Sequence, residues 1–168
     1  MFRLPGKAMV MASLLWLSIA GPAAAVFSGD MSPRARSGDP DYADGIEAFD
    51  KENWLGVIVA MEKVVIRRPH HDNAWARLGY AYRKLKRYDE ALVAYDKALA
   101  RNPHNRSALE YLGEAYLELG RIEDARAMLD RLFTECRRVA LTFSDGDFSD
   151  GCNEWRDLNR AIEKSQNR

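Results

Sequence analysis

The chain has 168 residues, 47% of them apolar and 30% charged, with 25 Lys and Arg balancing 25 Asp and Glu. That length suits a single domain. The even charge excludes nucleic acid or an anionic membrane surface as the main partner, because either is met by a basic patch.

Residues 1–25 read as a secretory signal peptide and not as part of the fold. Arg3 and Lys7 make a positive start, and Ala8 to Ala20 is a nearly unbroken apolar run. Gly21-Pro22 breaks it, and Ala23-Ala24-Ala25 supplies small residues for cleavage after Ala25. The run is shorter than the roughly 20 residues that span a bilayer. Export without stable membrane insertion is therefore expected, with the bacterial periplasm as destination. From Val26 onward the chain holds 23 basic and 25 acidic side chains.

Residues 26–37, with Ser, Gly, Asp, Pro and Arg, read as a flexible linker. Asp39-Pro40 then marks a helix start, with proline in the first turn where its missing N–H costs nothing. Helices are predicted at 39–51, 54–67, 73–85, 88–101, 107–119 and 122–135, with breaks between them such as Glu52-Asn53, Lys86-Arg87 and Gly120-Arg121. Short connections make neighbouring helices antiparallel, and no run alternates strongly enough for a strand. The pattern repeats. Gly45, Gly79 and Gly113 recur at one constant interval, which separates Pro69 from Pro103 as well. The same interval runs through Trp54, Tyr88 and Ile122, and through Met61, Tyr95 and Leu129.

That interval, about 34 residues, is the period of stacked helical hairpins. The second unit, 72–105, carries Trp75, Leu78, Gly79, Tyr82, Ala91, Tyr95, Ala98 and Pro103 in order. This series resembles the tetratricopeptide repeat, whose pattern is W-x2-L-G-x2-Y…A-x3-F…P. Small Gly79 and Ala91 let the two backbones approach, and the larger side chains fill the layer around them. The third unit, 106–139, keeps Leu109, Leu112, Gly113, Tyr116, Ala125 and Leu129, but has Arg137 where the closing proline would stand. The first, 38–71, keeps Gly45, Trp54, Met61 and Pro69, with Asp41 and Asp44 at positions that are apolar later on. Terminal repeats face water on one side and are commonly atypical. The resemblance implies an all-α fold: three antiparallel helix-turn-helix hairpins in a right-handed solenoid.

Residues 153–168 add one more amphipathic pattern, with Trp155, Leu158 and Ile162 on one stripe and Asn153 as expected N-cap. It is predicted to cap the last hairpin. The stretch from Leu132 to Ile162 also resembles the ending of small exported bacterial repeat proteins, which implies a disulfide. Cys136 and Cys152 form an even pair in an exported chain, which favours the same bond. Closing that loop would contribute about 3 kcal/mol. A redox or metal role has no CxxC spacing and no companion ligands behind it.

Between them, residues 140–152 form an acidic loop in which Asp145, Asp147 and Asp150 alternate as calcium ligands do. Counted from Asp145, however, Asp150 and Arg156 stand where an EF-hand has Gly and Glu. A solvated loop is expected instead. His70 and His104 follow the repeat prolines and belong to equivalent turns a full hairpin apart, as His71 does beside them, so no metal site is expected there. No cofactor is expected, and no nucleophile elbow, phosphate loop or HExxH motif points to an enzyme.

Function is expected on the concave surface, which in the resembled family is lined by the first helix of each hairpin. The first unit would contribute Tyr42, Ile46 and Phe49, flanked by Asp50. The second would contribute Asn73, Ala76, Tyr80, Arg83 and Lys84. The third would contribute Glu110, Glu114, Leu117 and Glu118, after Ser107. Tyr42, Phe49 and Tyr80 suit anchoring. The three glutamates, at four-residue steps, form an acidic stripe answered by Arg83 and Lys84 or by a partner, or left as a solvated face. The resemblance thus implies an exported protein-interaction module, a scaffold or assembly factor, holding a protein or peptide segment with basic and apolar side chains. The alternative is a periplasmic small-ligand or metal-ion binding protein.

Overall fold

Three helical hairpins and one further helix make up all the regular structure among the described residues. The computed structural model describes residues 38–140 and 152–167, without the side chains of 139 and 140. The segments expected as signal peptide, linker and acidic loop, the last with Asp145, Asp147 and Asp150, lie outside them. The helices are α1 (Pro40–Asp50), α2 (Trp54–Arg67), α3 (Asp72–Lys84), α4 (Tyr88–Arg101), α5 (Arg106–Glu118), α6 (Ile122–Ala140) and α7 (Asn153–Gln166). No described helix is long and apolar enough to cross a membrane.

Local chemistry sets the helix boundaries. Asp39 caps α1, accepting the Asp41 N–H at 3.1 Å, and Pro40 follows at the first position. Asn53, His71 and Asn105 cap α2, α3 and α5 in the same way, accepting from Gly56, Ala74 and Ala108. Each hairpin closes through one residue in the left-handed region: Glu52 at φ 54°, Lys86 at 61° and Gly120 at 73°. These residues fall one period apart, one per repeat. The next N–H then reaches back across the turn, as Arg87 does to Tyr82 O at 2.9 Å and Arg121 to Tyr116 O at 2.8 Å. Only the third turn uses glycine, so Glu52 and Lys86 hold a conformation that costs an ordinary side chain about 1–2 kcal/mol.

Within each hairpin the repeat glycine receives a large side chain. A Cβ on Gly45 would collide with the Met61 side chain, and one on Gly79 would stand 2.6 Å from the Tyr95 ring. Met61 and Tyr95 are wholly buried. The register predicts Leu129 as the third member of this set, but the nearest atoms to a Cβ on Gly113 belong to Leu158 of α7, at 2.5 Å. Leu129 is only half-buried, whereas Leu158 is fully buried. The seventh helix packs on α5 and α6, as α5 packs on α3 and α4. It takes the place of a fourth repeat's first helix, and its exposed side carries Arg156, Asp157, Arg160, Glu163 and Lys164.

Two expectations about this end are corrected. The sixth helix runs to Ala140 and not to residue 135, because Arg137, unlike Pro69 and Pro103, does not stop it. Asn153 is the first residue of α7; Cys152 is the N-cap and makes no side-chain capping bond. Cys136 and Cys152 are both buried and form a disulfide with Cα atoms 5.8 Å apart, joining α6 to the start of α7.

Candidate functional site

The first helices α1, α3 and α5 present a face whose centre is aromatic. Phe49, Trp54, Tyr80 and Tyr111 form a continuous row with ring centroids 4.6–5.6 Å apart. All four are half-buried, and Phe49, Trp54 and Tyr111 pack against the core. Cations border the row. The Arg77 guanidinium lies 5.0 Å from the Phe49 ring, and the Lys84 ammonium lies 5.5 Å from Trp54 and 5.6 Å from Tyr80. Tyr42 stacks on His71 at 4.7 Å, and its hydroxyl accepts from Arg77 Nε at 3.4 Å. Ile46 and Leu117 are half-buried against the core.

Polar contacts tie the repeats together along this face. Asn105 donates to Asp72 at 2.8 Å and to Asn73 at 3.0 Å, while Asn102 donates to Asp72 at 2.7 Å. Arg83 is 5% exposed and bridges to the next repeat, donating to Glu114 at 2.5 Å and to Glu118 at 2.7 Å. Lys86 Nζ and the Tyr88 hydroxyl add bonds to Glu118 of 3.0 and 2.9 Å. Burial opposes the charge on Glu118, yet these donors hold its carboxyl below the ordinary value.

The acidic stripe therefore divides. Glu114 and Glu118 are consumed by Arg83 within the chain, whereas Glu110, one turn earlier, lacks such a bridge among the described residues. Burial pushes the Glu110 carboxyl up to about 8, and Glu114, Glu154 and Asp157 add to the effect against Arg83. Two of those neighbours come from α7, where Glu154 lies 3.6 Å from Arg106 and Asp157 lies 3.3 Å from Arg160. A carboxyl of this kind, raised by burial and like charges at a surface, is a common mark of a binding position.

The consequence for stability has a definite sign. Glu110 stays protonated in the folded chain up to about pH 8, while unfolded it ionises near its ordinary value of 4.5. Its contribution is complete below the unfolded value and is lost as pH rises towards 8. Glu110→Gln should therefore match the wild type near pH 4.5 and exceed it by about 1–3 kcal/mol at about pH 8–9. Denaturant midpoints across that range read the difference; a constant offset would contradict the raised carboxyl.

Two residues expected on the open face are not there. Ala76 is 1% exposed and belongs to the core, and Arg83 lies beneath the surface it was expected to line. Both sit on the flank of α3 that turns towards α5, which an outward-facing pattern on a single helix does not distinguish. Three contributors were missed: Trp54, Arg77 and Tyr111. Arg77 and Tyr111 are exactly one repeat apart in the sequence, so the register itself carried a signal for them. Trp54 begins α2, a second helix, and only the hairpin turn brings it against Phe49. Among the described residues no group of three or more His, Cys, Asp or Glu side chains is placed to hold a metal. His104 lies 2.7 Å from Glu135, on another part of the stack.

Two family models described as tetratricopeptide repeat match the chain, one over residues 42–99 and one over residues 82–135. Together they span more than half of it. Among solved structures, the chain is similar to the TPR2B domain of yeast Sti1 in complex with pHsp70, at 22% identity and a TM-score of 0.63, over 76% of this chain and 95% of that one. It is also similar to PcrH in complex with the chaperone-binding region of PopD, at 16% identity and a TM-score of 0.59, over 76% and 90% of the two chains. The first TPR domain of human RPAP3 matches at 20% identity with a TM-score of 0.58, over 76% and 93%. Comparison with curated protein sequences found no significant match. With matched repeats covering all three hairpins and the same fold in these structures, the chain belongs to the tetratricopeptide repeat family.

Proposed function

We propose that this protein is an exported interaction module, a scaffold or assembly factor, that holds a segment of a partner protein across α1, α3 and α5. The observation that carries the reading is the half-buried aromatic row of Phe49, Trp54, Tyr80 and Tyr111, on the same face as the Glu110 carboxyl, which has no salt bridge among the described residues. Half-buried aromatic rings suit anchoring, since they bring large contact area at little entropic cost. A lysine or arginine of the segment would lie near Glu110, and apolar side chains would lie on the rings. Partner-bound neighbours with this fold, in which Sti1 meets pHsp70 and PcrH meets PopD, support a protein or peptide as the guest. The apolar run and Ala23-Ala24-Ala25 support export to a periplasm.

Pairing Glu110 with a cation would pull its carboxyl back down, so binding releases a proton below about pH 8 and tightens as pH rises towards that value. Affinity capture from an envelope extract, with the full chain as bait, tests the whole reading. A protein partner is expected, retained by Glu123→Lys on α6 and lost by Glu110→Lys. Glu114 is unsuited to this test, because reversing it would unseat Arg83. Undiminished capture by both Glu110→Lys and Lys84→Glu would remove this face from the account. A bound ion or small molecule with no protein partner would favour the ligand-binding alternative. N-terminal sequencing of the bait should read Val26 first; a chain that still begins at Met1 removes export.

A further inference from the structure

An apolar groove lies elsewhere. It runs between α2 and α4, over α3, with a volume of about 490 Å³. Trp75, Leu78 and Tyr82 form its floor, and at about 100° per residue they lie on the side of α3 opposite Tyr80 and Lys84. Its walls carry Ile66 and Val93, aliphatic side chains that are 79% and 53% exposed. Leaving them in water costs the chain apolar burial.

The repeat supplies an internal control. Shifted by one full repeat, the same positions lie between α4 and α6. Ile66 and Val93 become Ala100 and Ala127, and small Ala94 becomes Met128, which packs against the core. The fold therefore does not require an open groove with aliphatic walls. This chain has one at the first junction, while at the second the wall positions are alanines and Met128 packs against the core.

Its charge is also arranged. Glu62, Asp89 and Glu90 line one end around Tyr82, whose hydroxyl donates to Glu62 at 2.7 Å; Arg87 lies over the Tyr82 ring at 4.5 Å and pairs with Glu90 at 2.8 Å, so Glu62 and Asp89 carry the excess negative charge there. At the other end Lys97 is the cation in the lining, and it lies over the Trp75 ring at 4.4 Å. Two parallel second helices with an apolar floor make a trough that fits one more helix.

We propose that this groove is a second docking surface, and that its occupant is an amphipathic helix of a partner protein. The helix sets aliphatic side chains on Ile66, Trp75 and Val93 and a lysine or arginine against Glu62 and Asp89. The positive N-terminal end of its dipole lies at that acidic end. With the aromatic row on the other side of α3, the protein then engages two segments at once and joins them.

The test uses the full chain with labelled Ile and Val methyl groups. The probe is a synthetic amphipathic helix with leucines at i, i+3, i+4 and i+7 and flanking lysines, compared with the same peptide carrying glutamates. The lysine peptide is expected to shift the Val65, Ile66 and Val93 methyls with a dissociation constant below about 1 mM. Ile66→Asp and Val93→Asp should each weaken it about tenfold without lowering the melting temperature, because both side chains are exposed. Ala100→Asp should leave the Val65, Ile66 and Val93 shifts unchanged, which separates this junction from the second. Equal binding of the two peptides, shifts confined to the aromatic row, or no binding at about 1 mM would each overturn the proposal. So would sedimentation showing that the groove is covered by a second copy of the chain.

Discussion

Replacing Arg83 with methionine should lower the unfolding free energy by about 3–5 kcal/mol, the usual cost of removing one partner from a buried ion pair. Arg83 is 5% exposed and is the shared counter-ion of Glu114 and Glu118. Burial works against its charge, but Glu114 and Glu118 hold the guanidinium protonated. Methionine fills a similar volume, so the loss comes from two carboxylates left facing each other on one helix. Their side chains remain 28% and 30% exposed, which places the cost at the lower end.

Two further measurements separate repulsion from packing. Adding Glu114→Gln and Glu118→Gln to Arg83→Met should restore most of the loss. The deficit of the single variant should also shrink in acid. The depressed Glu118 carboxyl stabilises the wild type above its unfolded value, and that contribution disappears as pH falls through the folded one. A triple variant as weak as the single one would show that shape, not charge, keeps arginine here.

Leu158→Ala should cost about 2–5 kcal/mol. Leu158 is fully buried, and its methyl groups occupy the space over Gly113 that Met61 and Tyr95 occupy over Gly45 and Gly79. Gly113→Ala should cost about 1–3 kcal/mol by overpacking, since its new methyl would stand 2.5 Å from Leu158. Combined, the two substitutions should cost less than their sum, because the smaller side chain at 158 leaves room for the added carbon. Hydrogen exchange should quicken first in α7, while α3 and α4 keep their protection, as expected of a stack whose units contact only their neighbours. Strict additivity would place the capping helix away from Gly113.

The hairpins were legible because their causes are local and recur. Asp39-Pro40 starts α1 by a bond to its own first turn, and the turns at Glu52, Lys86 and Gly120 close through backbone contacts spanning a few residues. Gly79 and Ala91 predicted close helix approach; the Tyr95 ring packs over Gly79, as the Met61 side chain does over Gly45. The errors have another origin. Arg83 and Ala76 look outward on a helical wheel, but α5 packs over that flank of α3. Trp54 reaches the face of first helices from a second helix. Glu154 and Asp157 influence Glu110 from more than forty residues along the chain, a proximity no local pattern contains.

The linear order of residues by itself determined that this chain would form helical hairpins of one period, where each would turn, and that an amphipathic segment would follow the last of them. Those outcomes rest on capping, glycine placement and apolar spacing, all of which act within one repeat. Only the folded stack decided which glutamates keep a free carboxyl, which helix fills the space over Gly113, and which junction between repeats stays open. Each of those depends on side chains from different helices competing for the same volume or the same charge, and that competition exists only once the helices have packed.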